Sequence, residues 1–380
     1  MIDFELTEEQ RALIDIARRF AREKIIPVAP ECDRKSEFPR DVFAEAWKIG
    51  LVNPTLPAEY GGPGLSDLDS VLVTEELAYG CSGIQTSITA NTLGLTPIKL
   101  AGSEEQKKKY LGWLMSEPTH VSYATTEPGA GSDVAGMQCR AVKQADGSYV
   151  LTGTKAWITN ANLASFYVIF ATEDPDLKHK GIGAFIVHRD QKGLSVGKHE
   201  DKLGQRASDT AQVMLDGVVV PPAQVLAAPG HGFKLAMETF NQTRPDIGGI
   251  ACGIMKRAID ESVAYAKERK TFGKPISEHQ LVAAMIAEMA IRYNATRLLV
   301  HKAAWSLDKG IRDPLTSACA KAYGADAAMQ TATDAVQVFG GNGYVKEYPV
   351  EKLMRDAKIL QIYEGTAQVQ RIVIAKQLFS

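Results

Sequence analysis

Glu364 stands in the run QIYEGT, where its type and its neighbours are suited to proton transfer. It follows a helical pattern and precedes the last apolar helix, for which Thr366 is a suitable N-cap. Tyr363 offers apolar surface beside it, and Gly365 lets a backbone or a ligand approach closely. A carboxylate kept partly dry has a raised pKa and can act as a base near neutral pH. An acid at this place can also serve the helix N-terminus, so the pattern alone leaves both interpretations open.

A second segment with chemical potential is YATTEPGAGSDVAG, residues 123–136, which is rich in hydrogen-bond donors. Its glycines superficially match a dinucleotide-binding loop, but the third glycine is not at the required spacing and no strand–turn–helix pattern surrounds it. One interpretation is a surface turn between strands. The other is a site for a flat polar heterocycle, because amides and hydroxyls lie beside an aromatic ring. The candidate residues are Tyr123, Thr125, Thr126, Gly131 and Ser132.

The segment KAWITN, residues 155–160, places an indole near a hydroxyl. Trp157 and Thr159 are two residues apart, so they point to the same face of an extended segment. Together they could stack on a ring and hydrogen-bond its nitrogen. A tryptophan in the core of a strand accounts for the same pattern without a ligand, and that alternative stays open.

Three further segments carry possible ligand contacts. In ERKTFGK, Arg269 either interacts favourably with the dipole at a helix end or, with Thr271, binds a pyrophosphate by charge-assisted hydrogen bonds. In VFGGNGY, residues 338–344, three glycines in five residues permit close backbone approach or simply end a helix. In FNQTRP, Arg244 falls in a mostly apolar helical region, where a buried guanidinium needs an acid, a carbonyl or a ligand as its partner.

The composition excludes several classes of protein. The chain has 380 residues and a net charge of −2, which argues against a binder of nucleic acid or of membrane surfaces. Its five cysteines are scattered and form no CxxC, and its histidines have no metal-ligand spacing, so we expect neither disulfides nor a metal. No membrane span and no secretory or transit segment is recognisable. We therefore expect a cytoplasmic protein or a processed protein of the mitochondrial matrix.

The elements that must position these residues change in type along the chain. Residues 1–120 carry helical periodicity, beginning with the capping box TEEQ at Thr7. Residues 121–230 alternate between apolar and polar positions, with turns between the runs, as in a β-sandwich or small barrel. Residues 231–380 return to long helical patterns at about 233–268, 278–308, 314–338 and 366–378. The sequence thus predicts an α+β multidomain protein: an N-terminal α-helical domain, a central β domain and a C-terminal four-helix bundle.

Taken together and in order, these segments resemble the acyl-CoA dehydrogenase family, and its short- to medium-chain members in particular. The motifs that carry the resemblance span the whole chain: FELTEEQ, TEPGAGSD, WITN, LGQRASDT, ERKTFGK, QVFGGNGY, EYPVEKLMRDAK and QIYEGTAQVQR. The resemblance implies a flavoprotein with FAD bound between the domains, usually a homotetramer in which a neighbouring subunit completes each FAD site.

The resemblance also assigns roles to individual residues. Glu364 is the implied catalytic base, which removes an α-proton while the β-hydride passes to flavin N5. Implied FAD contacts are Tyr123, Thr125, Thr126, Gly131, Ser132, Trp157, Thr159, Arg269, Thr271, Phe272, His279, Gln280, Gln337, Gly340, Gly341, Thr366 and Gln368. Implied substrate contacts are Ser132, Asn241, Arg244, Tyr363, Gly365 and Lys376. Family members often carry Asp in place of Asn241 and Arg in place of Lys376.

The implied reaction is α,β-dehydrogenation of an acyl-CoA in fatty-acid β-oxidation, with electron-transfer flavoprotein as the acceptor. An oxygen-reducing oxidase and a flavin-free, non-catalytic paralogue are the alternatives. Thr89 lies where medium-chain members often carry Glu, and the run DIGG, residues 246–249, departs from the small apolar residues usual after Arg-Pro. We expect a short- to medium-chain acyl group, with branched and alicyclic groups among the candidates. Gly248 and Gly249 either widen its cavity or allow close helix packing.

Overall fold

The computed structural model describes residues 4–379. Residues 4–119 form six α-helices, and the first begins at a capping box in which Thr7 and Gln10 bond each other's backbone, as the sequence predicts. These helices are α1 (Glu8–Phe20), α2 (Ala29–Lys35), α3 (Arg40–Lys48), α4 (Asp67–Thr89), α5 (Asn91–Ala101) and α6 (Glu104–Ser116).

A single eight-stranded sheet follows. Its strands are β1 (His120–Ala124), β2 (Arg140–Lys143), β3 (Tyr149–Thr159), β4 (Ala164–Thr172), β5 (Ile182–His188), β6 (Leu194–Val196), β7 (Thr210–Val220) and β8 (Val225–Ala227). They lie in the order β6-β7-β3-β2-β4-β5-β8, with β1 pairing in parallel with β4.

Both faces of the sheet are buried, as successive side chains of β4 demonstrate. Tyr167 and Ile169 join a core made of the sheet's own residues, which means that the sheet curls around this face. Phe166 and Val168 point the other way and pack with α5, α6 and the start of the following helix. One face of the curled sheet therefore encloses the sheet's own core, and the other face packs against the N-terminal helices.

The C-terminal part is again helical, with α7 (Gly232–Glu268), α8 (Gln280–Asp308), α9 (Pro314–Phe339), α10 (Val350–Lys358) and α11 (Ala367–Leu378). A two-stranded hairpin, β9 (Lys270–Thr271) with β10 (Lys274–Pro275), connects α7 to α8. The predicted order of helices, sheet and helices is confirmed, and the four long helices agree with the predicted ranges to within two residues. The short helix α10 is additional to that prediction.

Helix α4 brings the N-terminal part against the bundle, because it packs along α7 at glycines. A Cβ atom on Gly253 would lie 2.4 Å from the carbonyl oxygen of Glu75, and one on Gly249 would lie 3.1 Å from Thr74 Cγ2. On another side of α7, a Cβ atom on Gly248 would lie 2.3 Å from Val300 Cγ2 of α8.

These distances decide between the two expectations for the glycines that follow Arg-Pro. Gly248 and Gly249 face neighbouring helices, so the expectation that they widen the acyl cavity is wrong. Their role is close helix packing, because a Cβ atom on Gly248 would crowd Val300 and one on Gly249 would crowd Thr74. No helix among the described residues is long and apolar enough to cross a membrane.

Candidate active site

Glu364 lies in the short turn that leads from α10 into α11. Its backbone has φ +51°, and the next residue, Gly365, has φ +85°, so the chain reverses sharply here. Gln370 Nε2 donates to the carbonyl oxygens of both residues at 3.1 Å. Thr366 caps α11 by accepting from Val369 N at 3.1 Å, which confirms the predicted N-cap. The turn is therefore fixed at both sides of the acid.

The carboxylate of Glu364 receives a hydrogen bond from Thr243 Oγ1, 2.7 Å from its Oε2. Burial raises the pKa of Glu364, while the Thr243 hydroxyl and the positive charges of Lys321 and Arg244 oppose that rise. The residue nevertheless retains some accessible surface. It is thus a partly dry acid that a ligand can still reach, as a base requires.

Lys321 is a component of the site that the sequence analysis missed. It is fully buried in α9, and its Nζ donates to the carbonyl oxygen of Gly365 at 2.6 Å. Burial lowers its pKa to about 8, against the opposing attraction of Glu364. The signal in the sequence is a single lysine within an alanine-rich helix, a position that only a specific partner makes tolerable.

Arg244 is buried in α7 and points its charge toward the same acid. Its Nη1 donates to Asn241 Oδ1 at 2.6 Å, while its Nε is buried without a hydrogen bond. Burial lowers the pKa of Arg244, and the nearby Glu364 counteracts this effect. The partner that this buried guanidinium needs is therefore the side-chain amide oxygen of Asn241, one turn earlier in α7. Pro245 lacks an N–H, so the backbone carbonyl of Asn241 also loses its usual helical donor.

Two tyrosines line this region. The hydroxyl of Tyr363 lies 3.4 Å from Gln205 Nε2. The ring of Tyr123 packs edge-on against Phe240 with centroids 5.5 Å apart. Burial raises the pKa of each phenol, and the charge of Glu364 adds to the rise in both. The sequence candidates on β1, on α7 and in the turn before α11 therefore surround one acid.

The segment that carries Trp157 is not the regular extended strand that the sequence suggested. The pairing of β3 with β7 shifts between Lys155 and Ile158, and Trp157 has φ +60° within this bulge. Beneath it, the buried Lys155 donates to Glu127 Oε1 at 2.8 Å. The indole is 62% exposed, so the alternative of a core tryptophan is wrong.

Residues around this indole suit a flat ring with a polar edge. The hydroxyl of Thr125 is buried without a hydrogen bond, which leaves it a donor and an acceptor to offer. Gly129 and Gly131 have nothing within 4 Å of a Cβ position, so their backbone is open to a ligand. Thr126 and Thr159 are partly exposed, and Ser132 is exposed. The heterocycle interpretation fits this group better than a simple surface turn.

A second group of candidates lies at the far end of the bundle. Phe272 and Gly273 form the two-residue turn of the β9–β10 hairpin, with φ +50° and +81°. The ring of Phe272 is 97% exposed. Thr271 Oγ1 lies 3.1 Å from His279 Nε2, and Gln280 begins α8. Arg269 is exposed beside them and has no carboxylate partner among the described residues.

The glycine-rich end of α9 belongs to this second group. Val338 packs with Ile276 in a small apolar cluster, which places Gln337, Gly340 and Gly341 near the hairpin. These three residues are exposed. Within residues 4–379, no hydrogen bond or ring contact joins this group to Trp157. Lys376 and Gln368 lie exposed on α11, and neither forms a hydrogen bond with Glu364. One chain thus holds two separate groups of candidates.

Comparison with known proteins matches the chain in three consecutive blocks. The blocks are described as acyl-CoA dehydrogenase N-terminal domain (residues 7–118), middle domain (122–218) and C-terminal domain (230–379). A relative in Caenorhabditis briggsae, "probable medium-chain specific acyl-CoA dehydrogenase 2, mitochondrial", is 43% identical over 99% of this chain and 92% of its own length. A "probable acyl-CoA dehydrogenase" of Mycobacterium bovis is 42% identical over 99% of this chain and 96% of its own.

Solved structures also match the chain over its whole length. The butyryl-CoA dehydrogenase of Megasphaera elsdenii superposes with a TM-score of 0.96 at 37% identity, covering 100% of both chains. A glutaryl-CoA dehydrogenase in complex with glutaryl-CoA has a TM-score of 0.95 at 34% identity, covering 100% of this chain and 97% of that one. A chain from a study titled "Electron transferring flavoprotein of Acidaminococcus fermentans: Towards a mechanism of flavin-based electron bifurcation" has a TM-score of 0.96 at 40% identity, covering 99% of each.

Proposed function

The chain belongs to the acyl-CoA dehydrogenase family of FAD-dependent oxidoreductases, and we propose that Glu364 is the base of an α,β-dehydrogenation of a short- to medium-chain acyl-CoA. The observation that carries the proposal is the environment of this carboxylate. Burial raises its pKa, Thr243 orients it at 2.7 Å, and it keeps accessible surface for a substrate. An α-proton is weakly acidic, so a base with a raised pKa is better matched to its removal.

The same turn offers a group that can stabilise the thioester oxygen. The backbone N–H of Glu364 forms no hydrogen bond within the described residues. The positive φ angles of residues 364 and 365 are held by Gln370 and Lys321, which keeps that N–H fixed. A preorganised donor of this kind lowers the cost of negative charge on the thioester oxygen as the α-proton leaves.

The residues around Trp157 fit the isoalloxazine ring of FAD, because they combine an exposed indole with the unpaired buried hydroxyl of Thr125. A flavin bound there would supply the redox chemistry for transfer of the β-hydrogen as hydride. The chain itself orients the thioester, excludes water and takes the α-proton at Glu364. Of the other expected substrate contacts, Arg244, Asn241, Tyr363 and Gly365 have the geometry to support the proposal, whereas Ser132 and Lys376 rest on the resemblance alone.

The second group of candidates supports an oligomer. Arg269, Phe272 and Gln337 are exposed and separate from Trp157 within one chain. We infer that they contact the adenosine and pyrophosphate of an FAD held mainly by a neighbouring subunit of a homotetramer. Light scattering should then give a mass of four chains. Phe272→Ala should weaken FAD retention, whereas Leu177→Ala, at an exposed leucine outside both groups, should leave it unchanged. A monomer that retains FAD would contradict this inference.

For the electron acceptor we propose an electron-transfer flavoprotein. The support is that a structural neighbour with a TM-score of 0.96 comes from a study of such a protein in Acidaminococcus fermentans. The oxidase alternative predicts rapid reoxidation of the reduced flavin by oxygen. The flavin-free paralogue predicts a colourless protein, and the free hydroxyl of Thr125 beside an exposed indole disfavours it.

The deciding experiment is an anaerobic titration of the purified yellow protein with acyl-CoA thioesters from C4 to C16, including isobutyryl and cyclohexanecarboxyl thioesters. We expect one chain class to bleach the flavin band. Glu364→Gln should lower the bleaching rate by about 10²- to 10⁴-fold, the usual contribution of a general base. Glu347→Gln, at an exposed glutamate of the loop before α10, is the matched control and should bleach normally. Unchanged bleaching in Glu364→Gln would rule out this base.

A further inference from the structure

Lys155 is a buried charge that the proposed reaction does not use. The residue is inaccessible to solvent, although it lies in β3 only two residues before the exposed indole of Trp157. Its Nζ donates to Glu127 Oε1 at 2.8 Å and to the carbonyl oxygen of Thr125 at 3.1 Å. Glu127 is buried as well, and among the described residues it pairs with no other cation. The two side chains thus form a buried ion pair beside the expected flavin site.

The carboxylate of Glu127 closes the segment that carries many of the expected flavin contacts. This segment, residues 125–139, connects β1 to β2 and belongs to neither strand. Glu127 Oε2 accepts from Gln138 N at 2.6 Å, and Oε1 accepts from Cys139 N at 2.9 Å. The backbone groups of Glu127 and Ala130 also bond each other, at 3.0 and 3.1 Å. One carboxylate therefore joins the beginning of the segment to its end.

The lysine fixes the same segment to the bulge in β3. Next to its bond with the Thr125 carbonyl, Ala156 N donates to the carbonyl oxygen of Thr126 at 2.9 Å. Residues 155 and 156 thus hold residues 125 and 126 in place immediately before Trp157. Thr125 carries a buried hydroxyl without a hydrogen bond, and Trp157 carries the exposed indole. The ion pair therefore fixes, relative to each other, the two features that fit the flavin ring.

A role in stability alone does not account for this pair. The desolvation of two buried charges often costs as much as their attraction returns, so well-packed apolar side chains would stabilise the fold equally well. Apolar side chains, however, would leave two backbone N–H groups and one carbonyl oxygen of the segment without these partners. Lys155 is 0% exposed and Glu127 is 6% exposed, so the pair can act on a ligand only through the segment.

We propose that Lys155 and Glu127 are positioning residues, whose ion pair holds segment 125–139 against the Trp157 bulge in the arrangement that binds the flavin ring. This inference rests on the flavin site of the proposed function. It assigns to two residues that touch no ligand the task of preorganising the groups that do, above all the hydroxyl of Thr125.

The first measurement is the rate of FAD release from the diluted holoenzyme, followed by the recovery of flavin fluorescence. Lys155→Met and Glu127→Gln should each accelerate release by about 10- to 100-fold, the usual effect of losing a well-placed hydrogen bond to a buried group. Glu76→Gln is the matched control, because it removes another buried, ion-paired acid, on α4. It should lower Tm but leave FAD release unchanged. Normal FAD release in both variants of the pair would overturn the proposal.

A double variant separates positioning from stability. Lys155→Met combined with Glu127→Gln leaves no unpaired charge in the interior, so its Tm should recover relative to the single variants. FAD release should remain fast, because the carbonyl oxygen of Thr125 has still lost its donor. Recovery of slow release together with Tm would show that the pair contributes only stability, and would overturn the assignment.

The flavin midpoint potential separates positioning from a direct effect of charge. Loss of the cation in Lys155→Met and loss of the anion in Glu127→Gln change the local field in opposite senses. If the pair acts by holding the segment, both variants release the same groups and should shift the potential in the same direction. Shifts in opposite directions would mean that the charges act on the ring through space, which would overturn the positioning role.

Failure of the underlying flavin site gives a different result. Thr125→Val removes the hydroxyl expected to contact the ring and leaves the ion pair intact, so it should accelerate FAD release. If Thr125→Val accelerates release while the variants of the pair do not, the flavin site stands and the positioning role falls. If none of these variants changes release, the flavin is not held at segment 125–139, and both the site and the role assigned to the pair are wrong.

Discussion

At the scale of single residues, the base is tuned by opposing effects of different origin. Burial of Glu364 favours its neutral form, while a hydroxyl from α7 and two cations, Lys321 and Arg244, favour the carboxylate. Thr243 and Arg244 belong to α7 and Lys321 belongs to α9, so two helices and the turn itself contribute to these effects. The pKa of the base is therefore a property of the packed bundle, and a change in any of these partners should move the pH dependence of the reaction.

Replacing Thr243 by Val is the sharpest change, since it removes one hydroxyl and preserves the shape of the side chain. The lost hydrogen bond had stabilised the charged carboxylate, so the pKa of Glu364 should rise further. A base works only when deprotonated. The acidic limb of the kcat/KM–pH profile should therefore move to higher pH, with the rate at low pH reduced most.

Thr239→Val is the control for that change. Its hydroxyl is equally buried in α7, one turn earlier, but donates to the carbonyl oxygen of Leu235 at 2.8 Å and not to the base. The acidic limb should stay in place in this variant. A limb that moves equally in both variants would mean that the shift arises from helix distortion.

The residues of the site differ in how readily the sequence reveals them. Thr366 is recognisable as an N-cap from the sequence, because capping depends on local spacing alone. Arg244 is conspicuous because a charge in an apolar helix needs a partner. Lys321 was missed, since its partner, the carbonyl of Gly365, is 44 residues away in the chain and only the packed bundle brings them together. The positive φ of Trp157 was missed as well, because a bulge depends on the register with β7.

At the scale of elements, glycines determine how closely the helices approach. The long helices were predictable from their periodicity, whereas the sequence analysis did not predict the kink in α4. There Cys81 has φ −170° and ψ 119°, an extended conformation between Gly80 and the pair Ser82-Gly83, and glycine–serine pairs are common sites of helix kinks. The contact of α4 with α7 could not be predicted either. The glycines are visible in the sequence, but the helix that packs against each glycine is determined by the tertiary structure.

Gly253→Ala tests this packing. A methyl group there would lie 2.4 Å from the Glu75 carbonyl oxygen and 2.7 Å from Ala78 Cβ, so α4 and α7 must separate. We expect a loss of about 1–3 kcal/mol in the free energy of unfolding, the usual cost of overpacking. The measurement is urea denaturation followed by circular dichroism.

Gly112→Ala provides the matched control within α6. Nothing lies within 4 Å of its Cβ position, so the substitution should stabilise the protein by about 0.5–1 kcal/mol through helix propensity. A destabilisation of the same size in both variants would show that alanine in a helix, and not the α4–α7 contact, is responsible.

At the scale of the whole molecule, two adjacent buried acids on α4 tie the N-terminal helices to the bundle. Glu75 accepts hydrogen bonds from Tyr293 and Arg297 of α8, at 2.6 and 3.0 Å. Glu76 accepts from Arg18 of α1 and from Lys256 of α7, at 2.9 and 2.8 Å. Because the two acids are consecutive, their side chains point in different directions and reach three helices. The orientation of α4 against the active-site helix α7 thus depends on charges far from the base.

Glu76 should make the assembly of these helices sensitive to acid. Burial alone would raise its pKa, but the hydrogen bonds from Arg18 and Lys256 outweigh it and lower the pKa below the ordinary value of 4.5. The stability it contributes is therefore complete above pH 4.5 and is lost as the pH falls through the lowered value. Glu76→Gln should reduce the free energy of unfolding by about 1–3 kcal/mol at pH 7, as expected for lost charge-assisted hydrogen bonds. The difference in Tm from wild type, measured by calorimetry, should shrink toward pH 3.

Glu31→Gln is the control, because its partners Arg34 and Lys35 are exposed. This variant should change Tm little at either pH. A loss of stability in Glu76→Gln that persists unchanged in acid would refute the charge-based account.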